Sequence, residues 1–253
     1  WLIGGVAAGS ILFARRDELE NPISAIVDAD GAVGLIIALV ALKVIHEFGH
    51  AWACKLYGGR VPVMGAMFVV FTPLAFVDAS AAWGFENKRQ RIIVNLAGMY
   101  FESIIAIFAV FVWANTGPGH LNSLAYQVML LASIVTLGFN ATPRLRFAGY
   151  YVLADWLGIP NLRERAARCV TNVFDRVVLG LPRPAAARRW STRSVLFGYG
   201  ISSAIYKVIL VLGICTMIAM RSFYVGIALA GFYLAQTLIG SLGKVIRHLY
   251  FSP

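Results

Sequence analysis

Residues 31–57 read GAVGLIIALVALKVIHEFGHAWACKLY, and this stretch decides the class of the protein. It is long and apolar enough to cross a bilayer, because a spanning helix needs about 20 mostly apolar residues. Its second half nevertheless carries His46, Glu47 and His50, with Lys43 one turn earlier. Ionisable side chains are costly in hydrocarbon and mark a functional site by default. The stretch therefore predicts a membrane-spanning helix with a polar centre inside it.

The whole chain has the composition of a membrane protein. Its 253 residues are 59% hydrophobic and only 13% charged, with a mean hydropathy of +0.74. Soluble domains are about 45–50% apolar and about 25% charged, so this chain has too few charges to cover a soluble globule. The same composition excludes a disordered chain, and three scattered cysteines exclude a disulfide scaffold. We therefore predict an all-α multi-pass membrane protein.

The apolar runs predict about six transmembrane helices. Besides residues 31–57, they cover about 1–14, 91–114, 121–156, 194–220 and 223–249, with a break at Asn140–Pro143 in the fourth. The run at 1–14 is short and begins without Met, so we expect it to be the cut edge of a longer protein. The expected organisation is a truncated first span at 1–14, a core at 31–156, an Arg-rich cytoplasmic loop at 157–193 and two C-terminal spans at 194–253.

One apolar segment does not fit a spanning helix. Residues 61–80 read VPVMGAMFVVFTPLAFVDAS, and Pro62, Gly65 and Pro73 interrupt the apolar run. Non-helical backbone at membrane depth needs protein to cover its polar groups. We predict a short re-entrant β-strand pair. Its edge, at Met67 and Val69, would bind an extended substrate by strand addition.

The basic residues predict the orientation. Seventeen of them fall on the side that holds the loops after the second, fourth and sixth spans, whereas the other side holds Arg15, Arg16 and Arg221. Positive residues favour the cytoplasmic side of short loops. We therefore expect a multi-pass protein of the bacterial inner (cytoplasmic) membrane, with the lipid bilayer as its surroundings. The net charge of +10 reflects this topology and does not indicate a nucleic-acid partner.

The sequence His46-Glu47-Phe48-Gly49-His50 is an HExxH motif. On a helix, residues four apart are offset by about 40° and about 6 Å, so both imidazoles can reach one ion. Zinc suits this donor set, because it accepts imidazole nitrogen and lowers the pKa of water. Glu47 would act as the general base on the attacking water and pass the proton to the leaving amine. The motif thus predicts a Zn²⁺ cofactor and peptide hydrolysis.

A second segment resembles a signature of a known protease family. Residues 138–165 read GFNATPRLRFAGYYVLADWLGIPNLRER. They resemble the second signature of site-2-protease-like intramembrane zinc metalloproteases, an Asn-x-x-Pro followed by Leu-Asp-Gly. The fuller match is to the peptide zinc metalloprotease branch. Asn140 and Pro143 match the first half, and Gly149, Tyr150 and Tyr151 match the second. The resemblance covers about residues 40–165 and implies an active-site role for Asn140, as a substrate-binding residue.

One position departs from the family pattern. Ala148 stands where the resemblance implies an Asp zinc ligand, and a methyl group cannot bind zinc. Asp155 lies seven residues further on, about 10 Å along a helix, which is too far for a simple replacement. Two explanations stay open: a substitution introduced into the chain, which the otherwise intact motif favours, or a natural protein that has lost turnover. In either case we expect this chain to be inactive as given.

The sequence therefore predicts an intramembrane zinc metalloprotease, with Glu47 as the catalytic residue and His46 and His50 as metal ligands. Its substrate would be a peptide or a single-span membrane protein, cut near the cytoplasmic leaflet. The alternative is a non-catalytic binding or assembly subunit of the same fold. Two further ionisable residues lie within spans: Lys43, which either tunes Glu47 or extends to the membrane surface, and Glu102, a candidate polar partner within the bundle.

Overall fold

The computed structural model of the chain describes residues 1–19, 29–69, 72–179 and 190–236. It divides into two units, Trp1–Asn161 and Leu162–Pro253. The helices of the first unit are α1 (Leu2–Ala14), α2 (Ala29–Leu56), α3 (Lys88–Asn115), α4 (His120–Ser133) and α5 (Ala148–Leu157). A π-helical turn, Ile134–Asn140, continues α4, and short 3₁₀ turns lie at Arg16–Leu19 and Ser80–Gly84.

The core of the first unit is a bundle in which α2, α3 and α4 pack against one another, while α1 and α5 pack on α3. Glycine allows α2 and α3 to approach closely. A Cβ at Gly49 would lie 2.8 Å from the backbone oxygen of Ala97, so no larger residue fits there. Small residues of this kind are typical of helix contacts in membranes. The close approach brings the HEFGH turn of α2 against α3.

Four helical stretches are long and apolar enough to cross a membrane, judged by length and composition. They are Val33–Leu56, Lys88–Asn115, His120–Asn140 and Thr192–Met220, and shorter apolar helices cover Leu2–Ala14 and Phe223–Gln236. The structure thus supports a mostly helical membrane protein with four candidate spans among its described residues. The predicted number of six is not reached. The C-terminal part of the predicted sixth span, from residue 237 onward, lies outside the described residues.

The predicted fourth span is divided into two helices. The helical path of α4 stops at Asn140, and α5 begins only at Ala148. Pro143 lies between them, where its missing N–H and its ring are incompatible with a continuous helix. The break predicted at Asn140–Pro143 is therefore longer than expected and frees α5 to pack separately on α3.

Residues 61–80 form a strand pair, as predicted. Strand β1 (Met64–Val69) pairs with β2 (Thr72–Val77) in antiparallel register, with Phe68 opposite Pro73. The N–H of Asp78 donates to the oxygen of Val63 at 2.9 Å, which sets the phase of the ladder. Bonded and non-bonded pairs alternate, and Pro73, which has no N–H, occupies a non-bonded position.

This register defines which groups form the open edge of β1. The backbone N–H groups of Met67 and Val69 point towards β2, while those of Met64, Ala66 and Phe68 point away from it. We expected the N–H groups of the open edge to be those of Met67 and Val69, but they belong to the neighbouring residues. Successive N–H groups of a strand point to opposite edges, so an error of one residue places a group on the wrong edge. Substrate contact by Met67 and Val69 stays a prediction.

The second unit contains helices α6 (Leu162–Leu179), α7 (Trp190–Arg221) and α8 (Phe223–Gln236). The segment 157–193, expected to be a loop, is therefore mostly helical over its described residues, which include α6 and the start of α7; residues 180–189 lie outside the described residues. Leu162 and Ala166 are buried where α6 packs on α7. Leu, Ala and Arg in α6 favour helix, and its buried residues Leu162 and Ala166 lie about one turn apart. Its location in the cytoplasm stays a prediction.

Candidate metal centre

The HEFGH turn of α2 brings two imidazole nitrogens together. Nε2 of His46 lies 3.0 Å from Nε2 of His50, and the two rings meet edge to face. His46 is buried and His50 nearly so. The spacing of four residues on one helix produces this convergence, as expected from the sequence. The arrangement suits the binding of one ion by both histidines.

The second nitrogen of each ring lies beside an oxygen atom. Nδ1 of His50 is hydrogen-bonded to the backbone oxygen of Val94 at 2.7 Å, whereas Nδ1 of His46 lies 3.3 Å from Oε2 of Glu102, at ion-pair distance but without forming a hydrogen bond. A carbonyl or carboxylate oxygen only accepts, so a neutral imidazole bonded to it carries its hydrogen on Nδ1, as the contact with Val94 indicates for His50. With the same tautomer at His46, both Nε2 atoms would present lone pairs to one point, where a cation can bind. Metal-binding histidines are oriented by outer contacts of this kind.

Helix α3 closes the site from behind through a glycine. A Cβ at Gly98 would lie 2.6 Å from Nε2 of His50 and 2.7 Å from Nε2 of His46. The space beside the two nitrogens therefore exists because residue 98 has no side chain. With the two lone pairs directed at one point, this cradle fits a metal ion held by His46 and His50.

The donor set is one protein ligand short of a catalytic zinc site, which usually has three. Among the described residues, no group of three or more His, Cys, Asp or Glu side chains could hold a metal ion. Ala148 is the first residue of α5, which packs on the same helix α3 that supports the histidine pair. Asp155, on the same helix, is engaged elsewhere, because its Oδ1 accepts a hydrogen bond from Nε of Arg91 at 2.9 Å.

Glu102 connects the histidine pair to the π-helical turn. Its side chain is 0% exposed, and Oε2 accepts a hydrogen bond from Oγ1 of Thr136 at 2.5 Å and from Nδ2 of Asn140 at 3.4 Å. The same oxygen faces Nδ1 of His46. Glu102 is thus the polar partner within the bundle that the sequence suggested. Its contact with His46 could not be foreseen, because it depends on which face of α3 turns towards α2.

Glu47 lies between two cavities. The first, of about 330 Å³, opens to the surface and is lined by apolar side chains together with several polar ones, which are Glu47, His50, Asp78, Ser80, Arg91, Asn95 and Tyr151. We call it the polar cavity. The carboxylate of Glu47 faces the backbone of Val77, the last residue of β2. Both Glu47 and Val77 line the polar cavity, as does His50. The role of Glu47 as general base stays a prediction.

The second cavity is apolar and runs between α2 and the hairpin. It has a volume of about 200 Å³ and is lined by Val40, Val44, Glu47, Phe48, Met64, Gly65, Ala66, Pro73, Ala75 and Phe76. Met67 lines neither cavity, and its side chain is half exposed. Asn140 also lies away from both, since it is buried and bonded to Glu102. A direct contact of Asn140 with a substrate stays a prediction.

Asp78 supplies a second carboxylate to the polar cavity. It lies just after β2, outside the candidate spans, and its Oδ1 accepts a hydrogen bond from the N–H of Ser80 at 3.0 Å. Hydrogen bonds from the Ser80 side chain and backbone hold the pKa of Asp78 below its usual value. The group therefore stays ionised at neutral pH and makes the mouth of the cavity attractive to cations.

Comparison with known proteins agrees with this geometry. The sequence profile of Peptidase family M50 matches residues 34–246. The chain is also 26% identical over 127 residues to "Putative peptide zinc metalloprotease protein YydH" of Bacillus subtilis (strain 168), a match that spans 49% of this chain and 48% of the relative. The chain thus covers about half the length of this curated relative. No solved structure matches the chain significantly.

Proposed function

Because this chain belongs to peptidase family M50, the family of the site-2 proteases, we propose that it is the catalytic core of an intramembrane zinc metalloprotease. The resemblance seen in the sequence is confirmed by this family membership. The observation that carries the proposal is the convergence of His46 and His50 at 3.0 Å, with Glu47 between them in the sequence. This arrangement lies within a candidate span, Val33–Leu56, and the reaction would take place near the cytoplasmic leaflet.

Each residue of the HEFGH turn has a distinct role in this proposal. His46 and His50 would hold the ion through Nε2. A bound zinc ion would supply charge that polarises the scissile carbonyl and acidifies the attacking water. Glu47 accepts a proton from that water and delivers it to the nitrogen of the leaving amine. Its position between the polar and the apolar cavity suits this transfer, because water enters from the first and an apolar substrate side chain can occupy the second.

The hairpin would hold the substrate in an extended conformation. Peptide hydrolysis needs an unwound segment, and an exposed strand edge orients such a segment by backbone hydrogen bonds. The outward N–H and C=O groups of Met64, Ala66 and Phe68 provide this edge. Met67 and Val69 stay in the proposal as neighbouring substrate contacts. The substrate class is a peptide or a single-span membrane protein that reaches the site from the lipid bilayer.

Formal charges in the centre support an acidic third ligand. Lys43 lies one turn before Glu47 on α2, so we include its charge in the balance of the site. If Glu47 and Glu102 are ionised and Lys43 is protonated, these three side chains carry a net charge of −1. A bound divalent cation would change the net charge to +1. An aspartate at position 148 would bring the total to zero. We infer that Ala148 leaves zinc weakly bound and the chain without turnover.

A second candidate function rests on this same missing donor. The chain would then be a non-catalytic binding or assembly subunit that retains the fold of the family. The absence of a third donor among the described residues favours this alternative. In both cases the protein acts in a bacterial inner membrane, and neither reading requires a nucleic acid.

Two measurements on Ala148→Asp decide between a protease and a non-catalytic subunit: its zinc content and its cleavage of a peptide. Ala148→Asn is the matched control. The aspartate should bring zinc to one ion per chain and produce cleavage of a peptide substrate, whereas asparagine adds no anionic oxygen and should do neither. Restored zinc without cleavage would support the non-catalytic subunit. Unchanged zinc in Ala148→Asp would show that α5 does not present residue 148 to the histidine pair.

A further inference from the structure

Glu102 occupies a position that bundle packing alone does not explain. It lies in the middle of α3, its side chain is 0% exposed, and it is a carboxylate within a candidate span. Burying an ionised carboxylate is costly unless other groups compensate for the lost water. Among the described residues, Oε1 of Glu102 has no hydrogen-bond partner, while Oε2 accepts hydrogen bonds from Thr136 and Asn140 and lies 3.3 Å from Nδ1 of His46, which itself forms no hydrogen bond. The interactions of Glu102 are therefore concentrated on one oxygen, and that oxygen faces His46.

Two of the three groups come from an unusual helical turn. Thr136 and Asn140 both lie in the π-helical turn Ile134–Asn140 and donate to Oε2 of Glu102 from that turn. Single π-helical turns are rare and often occur at functional sites. Here the turn places a hydroxyl and an amide on the carboxylate from the side of α4. Glu102 thus joins α2, α3 and the π-helical turn through one atom.

The geometry points to Glu102 as a positioning residue for the metal centre, and this inference rests on the proposed zinc site. Oε2 lies against Nδ1 of His46, whereas Nε2, the nitrogen that faces His50, is on the other side of the ring. Glu102 therefore does not bind the ion itself. Its negative charge, 3.3 Å from Nδ1, favours the tautomer of His46 with the hydrogen on Nδ1, so that the lone pair on Nε2 is directed at the shared point.

His50 provides an internal reference for this role. Its Nδ1 is held by the backbone oxygen of Val94, which no side-chain substitution removes. The group that faces Nδ1 is thus a side chain for His46 and a backbone oxygen for His50. Removing the carboxylate should therefore affect His46 and leave His50 as it is. A purely structural role for Glu102 would not distinguish between the two histidines.

The first test follows the histidine tautomers in the metal-free full-length chain by ¹⁵N NMR with labelled histidine. Both His46 and His50 should carry their hydrogen on Nδ1 in the parent chain. In Glu102→Leu, which replaces a buried charge by an apolar side chain, His46 should change to the Nε2–H form and His50 should not. Retention of the Nδ1–H form by His46 in this variant would overturn the inference, whatever the zinc affinity of the chain.

The second test measures zinc affinity in the Ala148→Asp background. Glu102→Gln keeps the shape of the side chain but removes its charge, and we expect zinc affinity to fall by about 10- to 100-fold. The melting temperature of the metal-free chain should not fall, because a buried amide costs less than a buried carboxylate. Gln127→Leu is the control, since Gln127 is another buried polar residue of the bundle and should leave zinc affinity unchanged.

The outcomes separate this inference from the proposed function. If Ala148→Asp and Ala148→Asp/Glu102→Gln bind zinc with equal affinity, the positioning role of Glu102 is overturned and the protease proposal stays intact. A parent Ala148→Asp chain that binds no zinc would contradict the proposed function, and the tautomer measurement would still decide the role of Glu102. A lower melting temperature with unchanged zinc affinity would indicate that Glu102 only stabilises the bundle.

Discussion

Gly98 of α3 faces His50 of α2 so closely that a Cβ at position 98 would lie 2.6 Å from Nε2 of that histidine. The same Cβ would lie 2.7 Å from Nε2 of His46. The two converging nitrogens therefore share their free space with a single backbone position on another helix. In the proposed metal centre, helix α2 would provide the ligands, and α3 would determine whether an ion fits between them.

We expect Gly98→Ala, in the Ala148→Asp background, to abolish stoichiometric zinc binding. The new methyl group must displace both imidazoles, and overpacking of this kind costs about 1–3 kcal/mol. The better helix propensity of alanine, about 1 kcal/mol, offsets part of that loss, so the chain should stay folded. Gly213→Ala is the control, because a Cβ there meets no described atom within 4 Å. Zinc binding by Gly98→Ala as tight as in the parent would contradict the cradle.

Glu47→Gln should separate metal binding from catalysis. In the Ala148→Asp background we expect one zinc per chain to remain, because the amide leaves both imidazoles in place. Cleavage should fall by about 100- to 10,000-fold, the usual contribution of a general acid–base group. Elemental analysis and a peptide cleavage assay on the same preparation measure both quantities. Substantial cleavage by this variant would assign the proton transfer to another group, with Asp78 as the nearest candidate in the polar cavity.

The sequence was most informative where the geometry is local. His46 and His50 lie one turn apart on one helix, so the periodicity of the helix alone predicts that their side chains meet. The strand pair was predictable for a similar reason, since Pro62, Gly65 and Pro73 exclude a helix over an apolar run. Neither prediction required knowledge of which other elements pack nearby.

The remaining parts of the site depend on contacts between helices. Val94, Gly98 and Glu102 all lie on the face of α3 that meets α2, and one sequence does not show which face that is. Gly98 looked like any glycine of a membrane helix, and Glu102 was visible as a buried acid but without its partner. The edge of β1 was misplaced by one residue for the same reason, because register is set by the partner strand.

The corrected register leads to a prediction about substrate binding. Ala66→Pro removes an N–H that points away from β2, so the hairpin should persist while binding of an extended substrate weakens. Met67→Pro removes an N–H that points towards β2 opposite Leu74 and should disrupt the hairpin itself. The substrate KM in the Ala148→Asp background and protease sensitivity of the hairpin measure the two effects. An unchanged KM in Ala66→Pro would show that β1 does not receive the substrate strand.

The distribution of basic residues predicts the topology. In a chain whose native cysteines are replaced, a membrane-impermeant thiol reagent added outside intact cells should label Asp17→Cys but not Arg168→Cys. Both side chains are exposed, so labelling reports the side of the membrane. Permeabilised cells provide the control, because both sites should then react. The opposite pattern would reverse the orientation and place the metal centre near the outer leaflet.

The ion pair between Arg91 and Asp155 connects α3 to the helix that begins at Ala148. Nε of Arg91 donates to Oδ1 of Asp155 at 2.9 Å, and Nη1 of the same guanidinium donates to the backbone oxygen of Phe85 at 2.6 Å. Both side chains are mostly buried, so the interaction is screened less than a surface pair. This contact fixes α5 against the helix that supports the histidine pair.

We expect Asp155→Asn to weaken zinc binding at the proposed metal centre, although Asp155 is not one of the proposed ligands. We expect a loss of about 1.5–3 kcal/mol in stability, the usual range for a hydrogen bond to a charged group. In the Ala148→Asp background, zinc affinity should fall as well, because α5 would hold the new carboxylate less firmly. Asp17→Asn is the control, since Asp17 forms only an exposed ion pair with Arg16, at 3.6 Å, and such pairs contribute little. If Asp155→Asn lowers stability but zinc affinity stays the same, the position of α5 does not depend on this ion pair, and the turn between Asn140 and Ala148 must determine it instead.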